Sequence, residues 1–416
     1  MPPQLRSQTR NASQPAIFTI PSSAQPPLYR IDLSLPPKER YREICSDYKI
    51  RMQEISPLYD EVLRFTPLPW LFKGVARLAL RRVYSKEENE EIAGISKFTG
   101  IPKHLVIAFN TFLDLLSGCI SGGTKVVDAA GSNSTSDTIV HFRGLDWEMD
   151  VLRSLTICVE YVRNGEVVAR GVTYAGYIGV LTGVREGLSI SLNYRPTPET
   201  SKRSLYLHYL RVILGKRPSN PSRLRTILLS SQPPPSSQQA LEAELAKFPG
   251  SPCYLTFCTP ENIFVFERGL DKPTVHTSSS FLAVTNHDKN MEEWDEEEWT
   301  TFMRTQFQKD DVVRDLVADS VERKKCICSL WEGRSAAGRL KVADVVNWLQ
   351  TKPLLNECTH YSCVMNPASS GGGLLWVMTY DEPVYMDGDI IMDDSDSDVD
   401  DWGRTVTDGL GRIGIE

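Results

Sequence analysis

The chain has 416 residues, of which 41% are hydrophobic and 24% charged, and its formal net charge is −7. This length can bury a large core, and the composition is ordinary for a globular protein. The acidic balance argues against a dedicated nucleic-acid-binding protein, which would carry a basic surplus. No apolar run reaches about eighteen residues, so no transmembrane helix is expected.

Both ends of the chain are expected to be disordered. Residues 1–27 are rich in Pro, Ser and Gln, and their longest apolar run, AIFTI, is too short for a secretory signal. This leader predicts a cytoplasmic protein, unless the true start lies elsewhere and hides a signal. Residues 386–416 include the acidic run DGDIIMDDSDSDVDD, which is typical of a solvated tail or of one that is phosphorylated or binds a partner.

Residues 28–118 are predicted to form a mostly helical lobe. The segment LYRIDLSL alternates as a strand does, and Pro36 and Pro37 then open a helix. The apolar residues of that helix share one face: Tyr41, Ile44, Tyr48, Met52 and Ile55. A later helix is predicted from the N-cap Ser85 to Gly100.

Between these helices lies WLFKGVARLALRRV, whose amphipathic part is Leu71–Val83. Its apolar residues fall on one broad face, and its Lys and Arg residues lie largely on the other. This pattern is typical of a core helix with a solvated basic face, and also of a helix lying on an anionic membrane surface. The sequence leaves both interpretations open.

After Gly118 strands dominate. Several segments are rich in β-branched and aromatic residues, and Asn164-Gly165 predicts a tight hairpin. Because hairpins outnumber βαβ units, we expect antiparallel strands covered by helices over residues 119–385.

The nine cysteines do not suggest a disulfide framework, because their number is odd and their spacing irregular. They match no zinc motif, so neither a metal nor a cofactor is expected, and most are predicted to be buried thiols. Motifs for a Walker loop, a dinucleotide site and a GxSxG nucleophile are also missing.

A cysteine can still act without histidine if it supplies its own base. In an N-terminal cysteine an amine of pKa about 7.7–8.0 lies beside a thiol of pKa about 8.5 and can take its proton. For Cys119, in LLSGCISGG, this requires cleavage of the Gly118–Cys119 bond. Downstream, HFRGLDWEMD supplies Arg143 and Asp146 as a cation and an acid, although an RxxD spacing alone is a weak signal.

Several segments in order resemble the acid ceramidase and N-acylethanolamine acid amidase family. They include TGIPKHLVIAFNTFLDLLSGC, HFRGLDWEMDVLRSLTICVEYVRNG, TYAGYIGVLTGVREGLSISLNYR and FLAVTNHD. The resemblance implies a four-layer αββα N-terminal-nucleophile hydrolase fold of the α+β class, cut by autoproteolysis into residues 1–118 and a catalytic chain that starts at Cys119.

The resemblance also implies roles for individual residues. It makes Cys119 the nucleophile, Arg143 the guanidinium beside it, Asp146 the acid that holds the α-amino group and Asn286 the oxyanion-hole amide. It suggests Arg323, in SVERKKC, as a later family arginine.

The chain also departs from the family pattern. Ile120 follows the cysteine where the family has threonine, and Tyr194 stands where the mammalian enzymes have glutamate. Tyr194 is compatible with a role of its backbone, but not with a role of a carboxylate. No cysteine precedes Cys45 to form the inter-chain disulfide of acid ceramidase.

The first functional hypothesis is a lipid amidase that cleaves N-acyl sphingoid bases or N-acylethanolamines. Its partners would be a small lipid amide and a membrane or lipid surface, and it would work as a heterodimer of its own two cleaved chains. Two alternatives stay open: a maturation-deficient lipid-binding relative, and an acyltransferase that passes the same thioester to another amine.

Overall fold

The computed structural model describes residues 25–57, 59, 74, 76–112, 118–127, 137–196, 202–270, 272–306 and 311–384. Nearly all of the predicted leader, part of the amphipathic segment Leu71–Val83 and the acidic tail lie outside these residues. The described strands form one sheet of eight strands and one of five.

The larger sheet has the strand order β1-β4-β5-β6-β7-β8-β9-β10. Its strands are β1 Leu28–Asp32, β4 Thr156–Arg163, β5 Glu166–Tyr174, β6 Thr182–Arg185, β7 Leu188–Tyr194, β8 Cys253–Cys258, β9 Ile263–Arg268 and β10 Thr274–Ser278. Pairing is antiparallel from β4 to β10, whereas β1 pairs with β4 in parallel.

The smaller sheet has the order β11-β2-β3-β12-β13 and is antiparallel. Its strands are β2 Gly118–Val126, β3 Thr138–Asp146, β11 Phe281–Val284, β12 Thr359–Asn366 and β13 Gly373–Thr379. Strand β2 faces β7, β8 and β9 of the larger sheet, so the two sheets pack against each other.

Helices cover both outer faces. The α-helices are α1 Arg42–Asp47, α2 Lys49–Met52, α3 Lys86–Thr99, α4 Lys103–Phe112, α5 Lys202–Ile213, α6 Asn220–Leu228, α7 Gln238–Ala246, α8 Glu296–Gln306, α9 Asp311–Ala336 and α10 Val342–Leu349. Helix α6 packs on β6 and β7, while α9 packs on β2 and β11 and α10 on β3 and β12. The layers are therefore helix, sheet, sheet and helix, which confirms the predicted αββα class.

Local predictions in the N-terminal part hold with two corrections. The predicted strand ends at Asp32, and the helix after Pro36 is broken into a 3₁₀ turn, Pro37–Glu39, and helices α1 and α2. Its predicted apolar face is nevertheless buried at all five positions. Helix α3 begins at Ser85, whose hydroxyl accepts from the Glu88 N–H, and ends at Gly100 with φ 83°.

The described residues between 28 and 112 share the core of the rest of the structure. Strand β1 extends the larger sheet, and Ile92 and Ile95 of α3 belong to the same apolar cluster as Tyr161 of β4. A buried carboxylate reinforces this junction: Glu91 of α3 pairs with Arg40 at 2.9 Å and with Arg225 of α6. The division at residue 118 stays a prediction. Within the described part of the chain, no helix is long and apolar enough to cross a membrane.

Candidate active site

Cys119 is the second residue of β2 and is completely buried between the two sheets. It pairs with Leu145 of β3, and the preceding Gly118 pairs with Asp146. A Cβ atom at Gly118 would lie 3.3 Å from the Asp146 Cβ and 3.5 Å from both terminal nitrogens of Arg323. Glycine therefore lets two charged side chains approach the Gly118–Cys119 peptide bond closely.

Arg143 of β3 contacts the Cys119 sulfur directly. Its Nη2 donates to Cys119 Sγ at 3.0 Å and to the Leu192 carbonyl at 2.7 Å, and its Nη1 donates to Asn193 Oδ1. The guanidinium is fully buried, and these partners carry no formal charge when the thiol is protonated. Burial lowers the pKa of Arg143 while the Cys119 sulfur raises it, and the net shift is upward. The sulfur of Cys119 therefore has a buried cation as its direct neighbour.

Asp146 lies on the other face of β3, because residues three apart on a strand point to opposite sides. Its carboxylate pairs with Nη1 of Arg323, which is on α9, and accepts from the Thr359 hydroxyl at 2.8 Å. The predicted acid is thus beside Gly118 and already bonded to a cation. The Cys119 N–H donates to a different group, Asn286 Oδ1, at 2.8 Å.

Asn286 follows β11 and connects the remaining predicted residues. Its Oδ1 also accepts from Arg323 Nη2 at 3.2 Å, and its Nδ2 donates to the Tyr194 carbonyl at 2.8 Å. The structure therefore brings all six predicted site residues into one contiguous network. Tyr194 takes part through its backbone oxygen, and Asn286 meets the peptide nitrogen of Cys119 through its side-chain oxygen.

Sequence reasoning missed several buried polar residues in this network. Asn193 accepts from Arg143 and from the Ser121 hydroxyl, and its amide donates to the Val284 and Thr285 carbonyls. Ser320, on α9, accepts from the backbone N–H of Asn286 at 2.6 Å. Asn193 precedes Tyr194 in the sequence, and this position next to a predicted site residue was a signal that could have identified it. No such signal marks Ser320, because the sequence of its helix has the pattern of an ordinary charged helix.

Two stacked sheets between helical layers, with a cysteine near the start of an inner strand and an arginine on its sulfur, define the class. This is the αββα fold of the N-terminal-nucleophile hydrolases.

Comparisons with known proteins show which proteins the chain is similar to. The family described as the beta subunit of N-acylethanolamine-hydrolyzing acid amidase matches residues 24–81. N-acylethanolamine-hydrolyzing acid amidase of Caenorhabditis elegans is 31% identical over 183 residues, which cover 41% of this chain and 48% of that protein. Acid ceramidase of Pan troglodytes is 25% identical over 370 residues, 82% of this chain and 83% of that protein. Human acid ceramidase is 30% identical over 209 residues, 46% and 50% of the two chains.

A solved structure of the C. elegans N-acylethanolamine-hydrolyzing acid amidase orthologue has a TM-score of 0.40 and 26% identity, and covers 60% of this chain and 94% of that one. The chain spans about half the length of the worm amidase and of human ceramidase, and 83% of the chimpanzee ceramidase. The chain is thus similar to members of the acid ceramidase and N-acylethanolamine acid amidase family.

Proposed function

We propose that this chain is a lipid amide hydrolase that cuts itself before Cys119 and then uses that residue as its nucleophile. The observation that carries the proposal is the contact of Arg143 Nη2 with Cys119 Sγ at 3.0 Å. The preceding residue is Gly118, which has no side chain and so leaves the Gly118–Cys119 peptide bond accessible to neighbouring side chains. Relatives named acid ceramidase and N-acylethanolamine-hydrolyzing acid amidase support an N-acyl lipid as the substrate class.

In the self-cleavage step the Cys119 thiolate attacks the carbonyl carbon of Gly118. The carbon–nitrogen bond breaks, the nitrogen gains a proton and becomes the Cys119 α-amino group, and Gly118 is left as a thioester on the sulfur. Water hydrolyses this thioester to the Gly118 carboxylate and the free thiol. Asn286 and Arg323 lie against the peptide nitrogen and the glycine and would hold the bond in place.

In the substrate reaction the same sulfur attacks the amide carbonyl of an N-acyl lipid. Asn286 and backbone N–H groups would stabilise the oxyanion, and the Cys119 amine would protonate the leaving amine. Water then attacks the acyl thioester and releases the fatty acid. Arg143 stabilises the thiolate each time it is regenerated.

The test is hydrolysis of a small panel of N-acyl sphingoid bases and N-acylethanolamines by the purified wild type and by Cys119→Ala. We expect fatty acid release by the wild type and none by the variant, whose fold should persist because alanine fits the space of the thiol. A wild type that is folded but inactive on every substrate would contradict the proposal. Added amines as competing acceptors separate hydrolysis from acyl transfer.

A membrane surface is the proposed source of the substrate. Helix α5 exposes Tyr206, Leu207 and Leu210, with Leu207 and Leu210 about half exposed at 46% and 50%. Basic residues flank these apolar side chains, and Gly215 just after the helix closely approaches the backbone of Arg82, at the end of the amphipathic segment. Apolar side chains among cations suit the surface of an anionic bilayer.

Leu207→Glu/Leu210→Glu tests this surface. We expect weaker binding to anionic vesicles and slower hydrolysis of vesicle-borne substrate, with an unchanged rate on a short-chain soluble amide. Wild-type vesicle binding by the double variant would contradict the membrane proposal and leave the amidase proposal intact.

A further inference from the structure

Helix α9 contacts the segment that carries Asn286 through one face. Ser320, Arg323 and Lys324 are three and four residues apart, so they lie on the same side of the helix. Lys324 Nζ donates to the Ala283 carbonyl, and Arg323 Nη2 donates to Asn286 Oδ1 at 3.2 Å. Ser320 is the member of this face that binds the backbone of Asn286 itself.

The Ser320 hydroxyl lies at the centre of a buried polar group. Its Oγ accepts from the Asn286 N–H at 2.6 Å, lies 2.7 Å from His287 Nδ1 and donates to Thr285 Oγ1 at 2.9 Å. All four residues are at most 4% exposed. One hydroxyl oxygen therefore contacts three consecutive residues. Because the group is buried, water has little access to take the place of this hydroxyl.

The far end of the same segment is held from the larger sheet. Arg195 Nε donates to Asp288 Oδ1 at 2.6 Å, and the Tyr254 hydroxyl donates to the same oxygen at 2.7 Å. On the other side Asn193 binds the Val284 and Thr285 carbonyls, and Ser320 binds the backbone N–H of Asn286 itself.

We propose that Ser320 is a positioning residue for the reaction: its Oγ fixes the Asn286 backbone so that the Asn286 amide meets the reacting peptide or substrate amide. The proposal rests on the proposed function. Ser320 itself touches neither the scissile bond nor the sulfur, so it acts through Asn286. A misplacement of about 1 Å in a reacting group costs about 100-fold in rate, and loss of this hydrogen bond shifts Asn286 in self-cleavage and in turnover alike.

The test compares Ser320→Ala, Ser320→Cys and the control Ser329→Ala, an exposed serine on the same helix. For Ser320→Ala we expect self-cleavage and kcat to fall by about 10- to 100-fold with KM within about twofold, since the proposal places Asn286 at the reacting amide and not along the acyl chain. Ser320→Cys keeps the shape of the side chain with a slightly larger atom that is a poorer acceptor, so its kcat should lie between those of Ser320→Ala and the wild type. Ser329→Ala should behave as the wild type.

The outcomes separate this proposal from the function on which it rests. If the wild type neither cuts itself nor hydrolyses an N-acyl amide, both fail. If the wild type is active and a folded Ser320→Ala keeps its kcat, the positioning role alone is wrong. If Ser320→Ala does not fold, Ser320→Cys decides: wild-type kcat contradicts the proposal, and a lowered kcat with unchanged KM supports it.

Discussion

The guanidinium of Arg323 and the carboxylate of Asp146 form a buried ion pair between residues 177 positions apart in sequence. The pair lies behind the Gly118–Cys119 bond, on the opposite face of β3 from Arg143. The two arginines thus have separate partners: Arg143 contacts the sulfur, and Arg323 neutralises the acid. Because each side chain of the pair is at most 4% exposed, removal of one partner leaves a buried charge without its counter-ion.

Arg323→Gln is therefore expected to lower the free energy of unfolding by about 3–5 kcal/mol. Urea unfolding in a Cys119→Ala background, where the chain stays in one piece, measures this loss. Adding Asp146→Asn should restore part of the stability, because the unpaired carboxylate is then removed. Additive losses in the double variant would show that the two side chains are not coupled.

Arg143→Lys keeps the positive charge but loses the forked donors that bind Cys119, Leu192 and Asn193 together. We expect kcat/KM to fall by about 100-fold or more, since an ammonium cannot hold this geometry. Arg30→Lys, an exposed arginine of β1 that pairs with Glu160, is the matched control and should be unaffected. An Arg143→Lys enzyme with wild-type kcat/KM would mean that charge alone, without geometry, suffices.

Tyr194 contributes its carbonyl oxygen to Asn286, and a substitution keeps that oxygen. Tyr194→Phe and Tyr194→Glu should therefore change the self-cleavage rate and kcat by less than about threefold, which corresponds to less than 1 kcal/mol. A large gain in Tyr194→Glu alone would instead show that a carboxylate is required at this position and that the wild type matures poorly.

Glu91 holds α3 to α6 through Arg225 and to the first helical turns through Arg40. Since its side chain is fully buried, Glu91→Gln should destabilise the uncut Cys119→Ala chain by about 3–5 kcal/mol. The neighbouring Glu90→Gln, half-buried, serves as the control. In the cleaved protein Glu91→Gln should release residues 1–118 at lower urea than the wild type, as read by size-exclusion chromatography. Equal urea midpoints for Glu91→Gln and Glu90→Gln would contradict a stabilising role of the Glu91 ion pairs.

His141 lies between the hydroxyls of Ser189 and Ser191, and burial, together with Arg143, lowers its pKa to about 3. An unfolded histidine binds its proton near pH 6.5, so between about pH 6 and pH 3 the unfolded state holds more protons. Stability should therefore fall as the pH falls through this window, by about 1.4 kcal/mol per pH unit from this residue. His141→Gln in the Cys119→Ala background should make the fall shallower in urea titrations. An unchanged slope would contradict a buried neutral His141.

Local features of the fold could be predicted because they depend on neighbouring residues. The helical face from Tyr41 to Ile55, the Ser85 cap and the Asn164-Gly165 turn each follow from spacing or from backbone preference over a few residues. Asn164 and Gly165 both have positive φ, at 54° and 86°, as such a turn requires.

The hydrogen bonds and ion pairs that connect the site residues could not be predicted in the same way. The sequence predicted Arg143 and Asp146 as site residues, but it did not predict the ion pair between Asp146 and Arg323. Ser320 lies 34 residues from Asn286, and no periodicity links a helix residue to a loop after a strand. Such contacts arise from how α9 packs on β11, which only the tertiary structure determines.

The most direct test of the central claim is the intact mass of the purified protein together with the N-terminal sequence of its fragments. We expect a wild type cut into two chains, one of which begins at Cys119, and a Cys119→Ala protein that stays whole. A folded wild type that remains a single chain under conditions where it hydrolyses N-acyl lipids, or a Cys119→Ala protein that is cut at the same bond, would contradict it.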